Sequence, residues 1–373
     1  MSSPDETTTK VAETAPAPAG WAGSALRTGM ALLATFAIGL AGGYVAKLLH
    51  FPLPYMTGAL LTTAALGLAG APVRSVWQAR AAGQFVTGTA IGTSFTPALL
   101  LTILTLLPML VLGAVISVAI GAAGALILMR LVKVDSRTAF LAAMPGGVIE
   151  MANVAARVGA DPLPIMVLQT MRVGLTVTVA PFLATILAEH GTAQEIARAE
   201  VMSDVMSWLT IAMLMAASLV GGFALWLIRL PNCWFLGSII TVAIIGALGL
   251  VQGRVPDVIL VLAQVIIGVS IGTQYRHEFL TRLLRLLVSS LVTVPFALLA
   301  TGLVAVVYAL LLTLPVPTMF LALAPAGIAE MALTGKVLGL DAALITGFQV
   351  VRILMVTLGA AWACRLFERL AGR

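Results

Sequence analysis

The sequence predicts an all-α polytopic membrane protein made of two inverted repeats, each with about five transmembrane helices plus one broken or re-entrant segment. Three observations carry that expectation: a composition that is 60% hydrophobic and only 10% charged, apolar runs of membrane length along nearly the whole chain, and two copies of one unusual polar motif. So few charged side chains cannot cover a soluble body. A helix needs about 20 apolar residues to cross a hydrocarbon core of about 30 Å, and runs of that length recur. The strand-like alternation of a membrane barrel is absent.

The first residues stand apart. SSPDETTTKVAETAPAPAG is rich in Thr, Ala and Pro and lacks the apolar core of a signal peptide, so residues 1–20 are expected to form a disordered cytoplasmic tail. The net charge of +6 fits the excess of Lys and Arg in cytoplasmic loops and needs no nucleic-acid partner. Cys233 and Cys364 lie far apart and suggest neither a disulfide framework nor a metal site. No cofactor is expected, and the partners are the lipid bilayer and a small solute. A homodimer is compatible with the sequence.

After the tail, the chain repeats. A shift of 180 residues superimposes Phe140, Pro145, Gly147, Glu150, Met151, Gly159, Asp161, Gln169 and Arg172 on Phe320, Pro325, Gly327, Glu330, Met331, Gly339, Asp341, Gln349 and Arg352, with thirteen identities in thirty-three positions and no gap. The same shift matches GQFVTGTAIGT from Gly83 with AQVIIGVSIGT from Ala263, and a shift of 179 pairs Pro52 and Gly58 with Pro231 and Gly237. Apolar composition matches Leu with Leu; it does not match Glu, Gln, Arg, Asp and Pro. The expected domains are membrane repeat 1 over 21–190, an extracytoplasmic linker over 191–200 and membrane repeat 2 over 201–373. Each half divides into six segments, near 24–48, 53–71, 76–94, 98–131, 137–158 and 162–188, then 201–229, 232–251, 256–274, 278–313, 317–339 and 342–368.

Charge orients the halves. The turn TSFTP has none, whereas its counterpart carries Arg276, His277, Glu278, Arg282 and Arg285; the next turn holds Arg130, Lys133 and Arg137 in the first half and TLPVPT in the second. Equivalent turns then face opposite sides of the membrane, which is inversion. Inversion needs an odd number of crossings per half, so one segment must return to its own side. The poorest membrane helix is the motif segment, MPGGVIEMANVAARVGAD and APAGIAEMALTGKVLGLD. With it re-entrant, both termini are cytoplasmic and only Lys47, Arg198, Arg254 and Lys336 violate the charge rule. The competing arrangement has six crossings per half in parallel repeat and strands the basic C-terminus outside.

Irregular backbone at membrane depth needs protein or a water-filled cavity around it, and paired broken helices are how secondary transporters build a site near the midplane. The break leaves amides near Gly146, Gly147, Ala326 and Gly327 able to hold an anion, with Glu150 and Glu330 in the first helical turn. Arg172 and Arg352 lie inside apolar helices, where a charge costs roughly 2.5 kcal/mol or more and should have a partner; Glu150 and Glu330 are the obvious ones. Two readings stay open: structural ion pairs, or arginines that contact an anionic substrate. Gln169 and Gln349 share a helix face with the arginines. Gln84 and Gln264 are buried amides in the third segments and must find partners, beside Gly88, Gly92, Gly268 and Gly272, which form close-packing surfaces. Asp161 and Asp341 read as helix N-caps.

The duplicated PGG/PAG-x-x-E-M-A motif with its later Q-x-x-R resembles the AbrB-type family of duplicated integral membrane proteins over nearly the whole chain after the tail. The resemblance implies kinship in fold with inverted-repeat secondary carriers. Family labels include ammonia monooxygenase and regulator of gene expression. His50, His190 and His277 share no ligand-like spacing, so no metal enzyme is expected. No segment is long enough for a DNA-reading head. The expected function is a secondary transporter of a small organic anion in the bacterial-type plasma membrane, coupled to protons or sodium through Glu150 and Glu330. The alternative is a membrane-embedded protein that regulates gene expression through partners.

Overall fold

In the computed structural model, residues 21–188, 205–228, 230, 232–251, 253–281 and 283–371 are described, with backbone alone for 21–27. The predicted tail, the 191–200 linker, Arg198, Arg229 and Arg282 lie outside the described residues. The chain is helical, and among the described residues strand pairing is confined to one isolated bridge between Val205 and Arg254.

The first half contains α1 (Trp21–Leu48), α2 (Pro54–Leu68), α3 (Trp77–Gly92), α4 (Pro97–Thr105), α5 (Leu107–Val132), α6 (Ser136–Ala143), α7 (Val148–Val158) and α8 (Pro162–Ala188). The second contains α9 (Trp208–Leu227), α10 (Cys233–Ala247), α11 (Asp257–Gly272), α12 (His277–Thr281), α13 (Leu284–Leu312), α14 (Val316–Leu323), α15 (Ile328–Val337) and α16 (Ala342–Ala371). In each half three helices are long and apolar enough to cross a bilayer: α1, α5 and α8, then α9, α13 and α16. The second and third helices of each half have 15 or 16 residues, or about 23 Å at 1.5 Å per residue. Leu310, Leu303 and Val220 leave more than two thirds of their surface uncovered, which is stable in contact with lipid and costly in water.

Two segments differ from the sequence-based expectation. The segment expected over 98–131 is divided at Leu106 into α4 and α5, because Pro108 opens a new helix there, and α4 turns 100° away from α3. Its counterpart over 278–313 is likewise divided into α12 and α13.

The backbone repeats as the sequence does. Left-handed residues recur at equivalent places: Leu53 with Asn232 before α2 and α10, Lys133 with Thr313 after α5 and α13, and Gly159 with Gly339 after α7 and α15. α1–α3 pack with α9–α11 as one layer, and the later helices of both halves pack together as a second.

Within the first layer the contacts are reciprocal. Gly88 of α3 rests on Phe235 and Ser238 of α10, while Gly268 of α11 rests on Met56 and Ala59 of α2; Gly92 meets Val242, and Gly272 meets Thr63. Each pair maps onto the other by exchanging the halves. Ser75, just before α3, has its Oγ 3.3 Å from Ser270 Oγ near the end of α11, and Gly83 further along α3 meets Ile266 and Ile267 earlier in α11, so the two helices run antiparallel where they touch.

Candidate functional site

Pro145 and Pro325 make the breaks. Proline lacks an N–H and pushes the residue before it out of the helical region, and Met144 (φ −64°, ψ 134°) and Ala324 (φ −55°, ψ 136°) are extended. Gly147 and Gly327 are extended too, and a new helix starts directly after each. The first break folds into a hairpin whose outer ends meet: Arg137 at the start of α6 donates to the carbonyl of Val158 at the end of α7, at 2.7 Å, and to Glu368 of α16 at 2.8 Å.

The break frees buried carbonyls, and the Q-x-x-R pair collects them. Gln169 Nε2 donates to Leu141 O and Met144 O at 2.8 and 2.9 Å. Arg172 donates to Met144 O, to Gly146 O at 3.0 Å and to Gln169 Oε1 at 2.6 Å. The second half repeats the set: Gln349 donates to Leu321 O and Ala324 O, and Arg352 to Ala324 O, to Ala326 O at 2.7 Å and to Gln349 Oε1 at 2.5 Å. The expected pairs Arg172–Glu150 and Arg352–Glu330 are therefore not formed. The guanidiniums instead cap the C-terminal ends of α6 and α14, where each helix carries about half a negative charge.

Glu150 and Glu330 turn back over their own helix starts. Their carboxylates fill the space that a Cβ on Gly147 or Gly327 would need, with Oε2 the nearest atom in both. The amides of Gly146 and Ala326 are already bonded, each to the carbonyl two residues earlier at 2.8 Å. Beyond this the halves part. Glu330 is 1% exposed and its Oε1 accepts from Arg80 of α3 at 3.0 Å; Glu150 is half-buried, with no hydrogen bond or ion pair among the described residues. The position equivalent to Arg80 is Leu260. Lys336, near the end of α15, donates to Ser94 at the end of α3 at 2.8 Å, so α15 is fixed to α3 at both ends.

Gln84 is half-buried and forms no hydrogen bond among the described residues. Buried Gln264 has an Oε1 without a partner there, contrary to the expectation that its amide is satisfied. Asp161 and Asp341 cap their helices, accepting from Leu163 N and Leu344 N.

The two breaks meet. A cavity of about 30 Å³ is lined by Pro145, Pro325 and Arg172, and the Nε of both arginines is buried without a partner among the described residues. A larger cavity of about 820 Å³ reaches Val148 and Ile149 of α7, Arg80 of α3, and Ser270, Thr273 and Gln274 at the end of α11. Gln264, Arg254 and Lys336 line another of about 330 Å³, with Lys47 and Tyr55. Among the described residues no three His, Cys, Asp or Glu side chains are grouped to hold a metal ion. Sequence reasoning did not single out Arg80; its signal was an arginine inside a third segment whose equivalent is leucine.

These features define a helical membrane protein centred on two broken segments. The family described as transition state regulatory protein AbrB matches residues 55–368, and the chain belongs to it. YhjN of Bacillus subtilis (strain 168) is 26% identical over 352 residues, covering 86% of this chain and 88% of its own. A protein of Escherichia coli (strain K12) that bears the name of a regulator, AbrB, is 32% identical over 164 residues, 43% of this chain and 46% of its own.

Proposed function

We propose that the chain is a secondary carrier of a small organic anion, working by alternating access and coupled to protons or sodium. In this reading the halves are inverted repeats in a plasma membrane, with both termini cytoplasmic. The observation that carries it is the pair of buried guanidiniums, Arg172 and Arg352, which neutralise helix ends and meet no carboxylate among the described residues. Two whole charges against two half charges leave the centre electropositive, and a small anion is the solute such a centre favours.

Alternating access draws support from the unequal breaks. α15 is closed onto α3 by Arg80–Glu330 and Lys336–Ser94, whereas α7 and α11 both border the 820 Å³ cavity. Exchanging the roles of two two-fold related halves closes that cavity and opens the other side. The antiparallel α3 and α11 and their reciprocal glycines are what inverted repeats require.

Uptake by proteoliposomes tests the reading. A panel of labelled mono- and dicarboxylates is offered under imposed proton or sodium gradients, and saturable uptake and counterflow are expected. With Cys233 and Cys364 replaced, bridging Ser94→Cys and Lys336→Cys with a short bis-methanethiosulfonate, which joins each thiol through a disulfide, should stop both, and reduction of those disulfides should restore them. Protein that is correctly reconstituted yet gives neither uptake nor counterflow with any member overturns the proposal.

The names carried by the family and by the Escherichia coli relative favour a second reading, regulation of gene expression through partner proteins without transport. Deleting residues 2–20 separates the two: a regulatory phenotype lost while uptake persists supports regulation.

A further inference from the structure

We propose that Arg80 is the seat of the substrate's carboxylate and that Glu330 controls access to it: paired in this state, the two part when Glu330 takes a proton, which frees the guanidinium for the anion. This deepens the carrier reading and rests on it.

The geometry of the pair is one-sided. Arg80 Nη2 meets Glu330 Oε1 at 3.0 Å, while Oε2 is buried with no hydrogen-bond partner among the described residues. A guanidinium holds a carboxylate best through two parallel bonds, and here one is made. What keeps Glu330 on Arg80 is the cost of leaving a buried carboxylate unpaired. A proton on Oε2 removes that cost.

Arg80 also faces both ways. Its side chain is 31% exposed and lines the 820 Å³ cavity together with Arg74, Arg276 and His277, against one lining carboxylate, Glu278. A cavity so charged gathers anions, and an organic carboxylate entering it reaches the exposed part of Arg80. The balance is one proton on Glu330 and one carboxylate on Arg80, a neutral load for a monocarboxylate.

Among the described residues no other charge does this for Glu330. α14 has no charged residue, and Arg80 is the one charged residue of α3. Arg172 of α8 and Arg352 of α16 are engaged with carbonyls, Lys336 of α15 itself donates to Ser94, and Asp341 in the turn before α16 caps that helix. Arg365, Glu368 and Arg369 lie in the last turns of α16, more than three turns beyond Arg352, where Glu368 holds Arg137.

The test uses the full-length reconstituted protein and labels Arg80 with phenylglyoxal, read by mass spectrometry and normalised to free N-acetylarginine at each pH. The normalised rate in the wild type should rise as pH falls, and Glu330→Gln should label fast at every pH. Succinate and acetate, as probes, should slow labelling at low pH. In transport, Glu330→Gln should lose proton-driven accumulation. A wild-type rate that does not change with pH overturns the proposal without needing any variant. Labelling equal in wild type and Glu330→Gln, no slowing by either carboxylate, or a Glu330→Gln protein that still accumulates anion on a proton gradient each overturns it as well. Absent uptake by the wild type overturns the carrier reading instead, and the labelling result then stands as a separate fact.

Discussion

Arg172 donates to the carbonyl oxygen of Gly146, twenty-six residues earlier, at 3.0 Å, and Arg352 makes the same bond to Ala326 at 2.7 Å. A buried charged side chain is here the donor that satisfies backbone left unpaired by a broken helix.

Replacing Arg172 by alanine strands Gly146 O and Gln169 Oε1, while Met144 O keeps its bonds from Gln169 Nε2 and the Gly146 amide, and each buried unsatisfied group costs about 1–3 kcal/mol. The melting temperature in detergent, followed by tryptophan fluorescence, should fall by several degrees. Arg172→Lys should fall less, because an ammonium reaches some of these acceptors without the planar fork. An Arg172→Ala protein as stable as the wild type contradicts the capping role.

Gly327→Ala should destabilise more than Gly147→Ala. In both, the new Cβ lands on a glutamate oxygen, so the carboxylate must swing. Glu150 is half-buried and has room; Glu330 is buried and would tear from Arg80. A difference of about 1–2 kcal/mol is expected, measured as the shift in thermal midpoint between the two variants.

Gly88→Ala and Gly268→Ala should cost nearly the same. Their Cβ atoms run into the backbone oxygens of Phe235 and Met56, equivalent atoms of the two halves. Overpacking of this kind costs about 1–3 kcal/mol. Equal losses of thermal stability bear out the reciprocal packing, and a variant as stable as wild type at either site contradicts it.

The antiparallel contact of α3 and α11 is open to a chemical check. In a background with Cys233 and Cys364 replaced, Ser75→Cys with Ser270→Cys should oxidise to a disulfide, because the two oxygens are 3.3 Å apart and a short rotation brings sulfurs to about 2.05 Å. Maleimide titration of the denatured protein should find no free thiol. Two reactive thiols after oxidation would mean that the helices do not meet there.

Much of this is legible in the sequence alone. The repeat, the two breaks and the involvement of Gln169, Arg172, Gln349 and Arg352 follow from which residues recur, since polar identities at a fixed spacing do not arise by chance inside apolar sequence. The partner of each arginine is not legible. Opposite charge suggests Glu150 and Glu330, but a freed carbonyl is invisible in sequence and competes well for a guanidinium. Arg80 escapes for the opposite reason: it has no repeat-mate, and comparison of the halves rewards what they share. The division at Leu106 is hidden because α4 and α5 are both apolar and Pro108 looks like a tolerated kink.

The presence of Arg80 where the second half has Leu260 has a consequence for how the two broken segments are held. Two identical halves joined about a two-fold would hold α7 and α15 equally well. Fusion of the copies into one chain lets a single position diverge. One arginine, present once rather than twice, ties α15 to α3 and leaves α7 without that tie among the described residues.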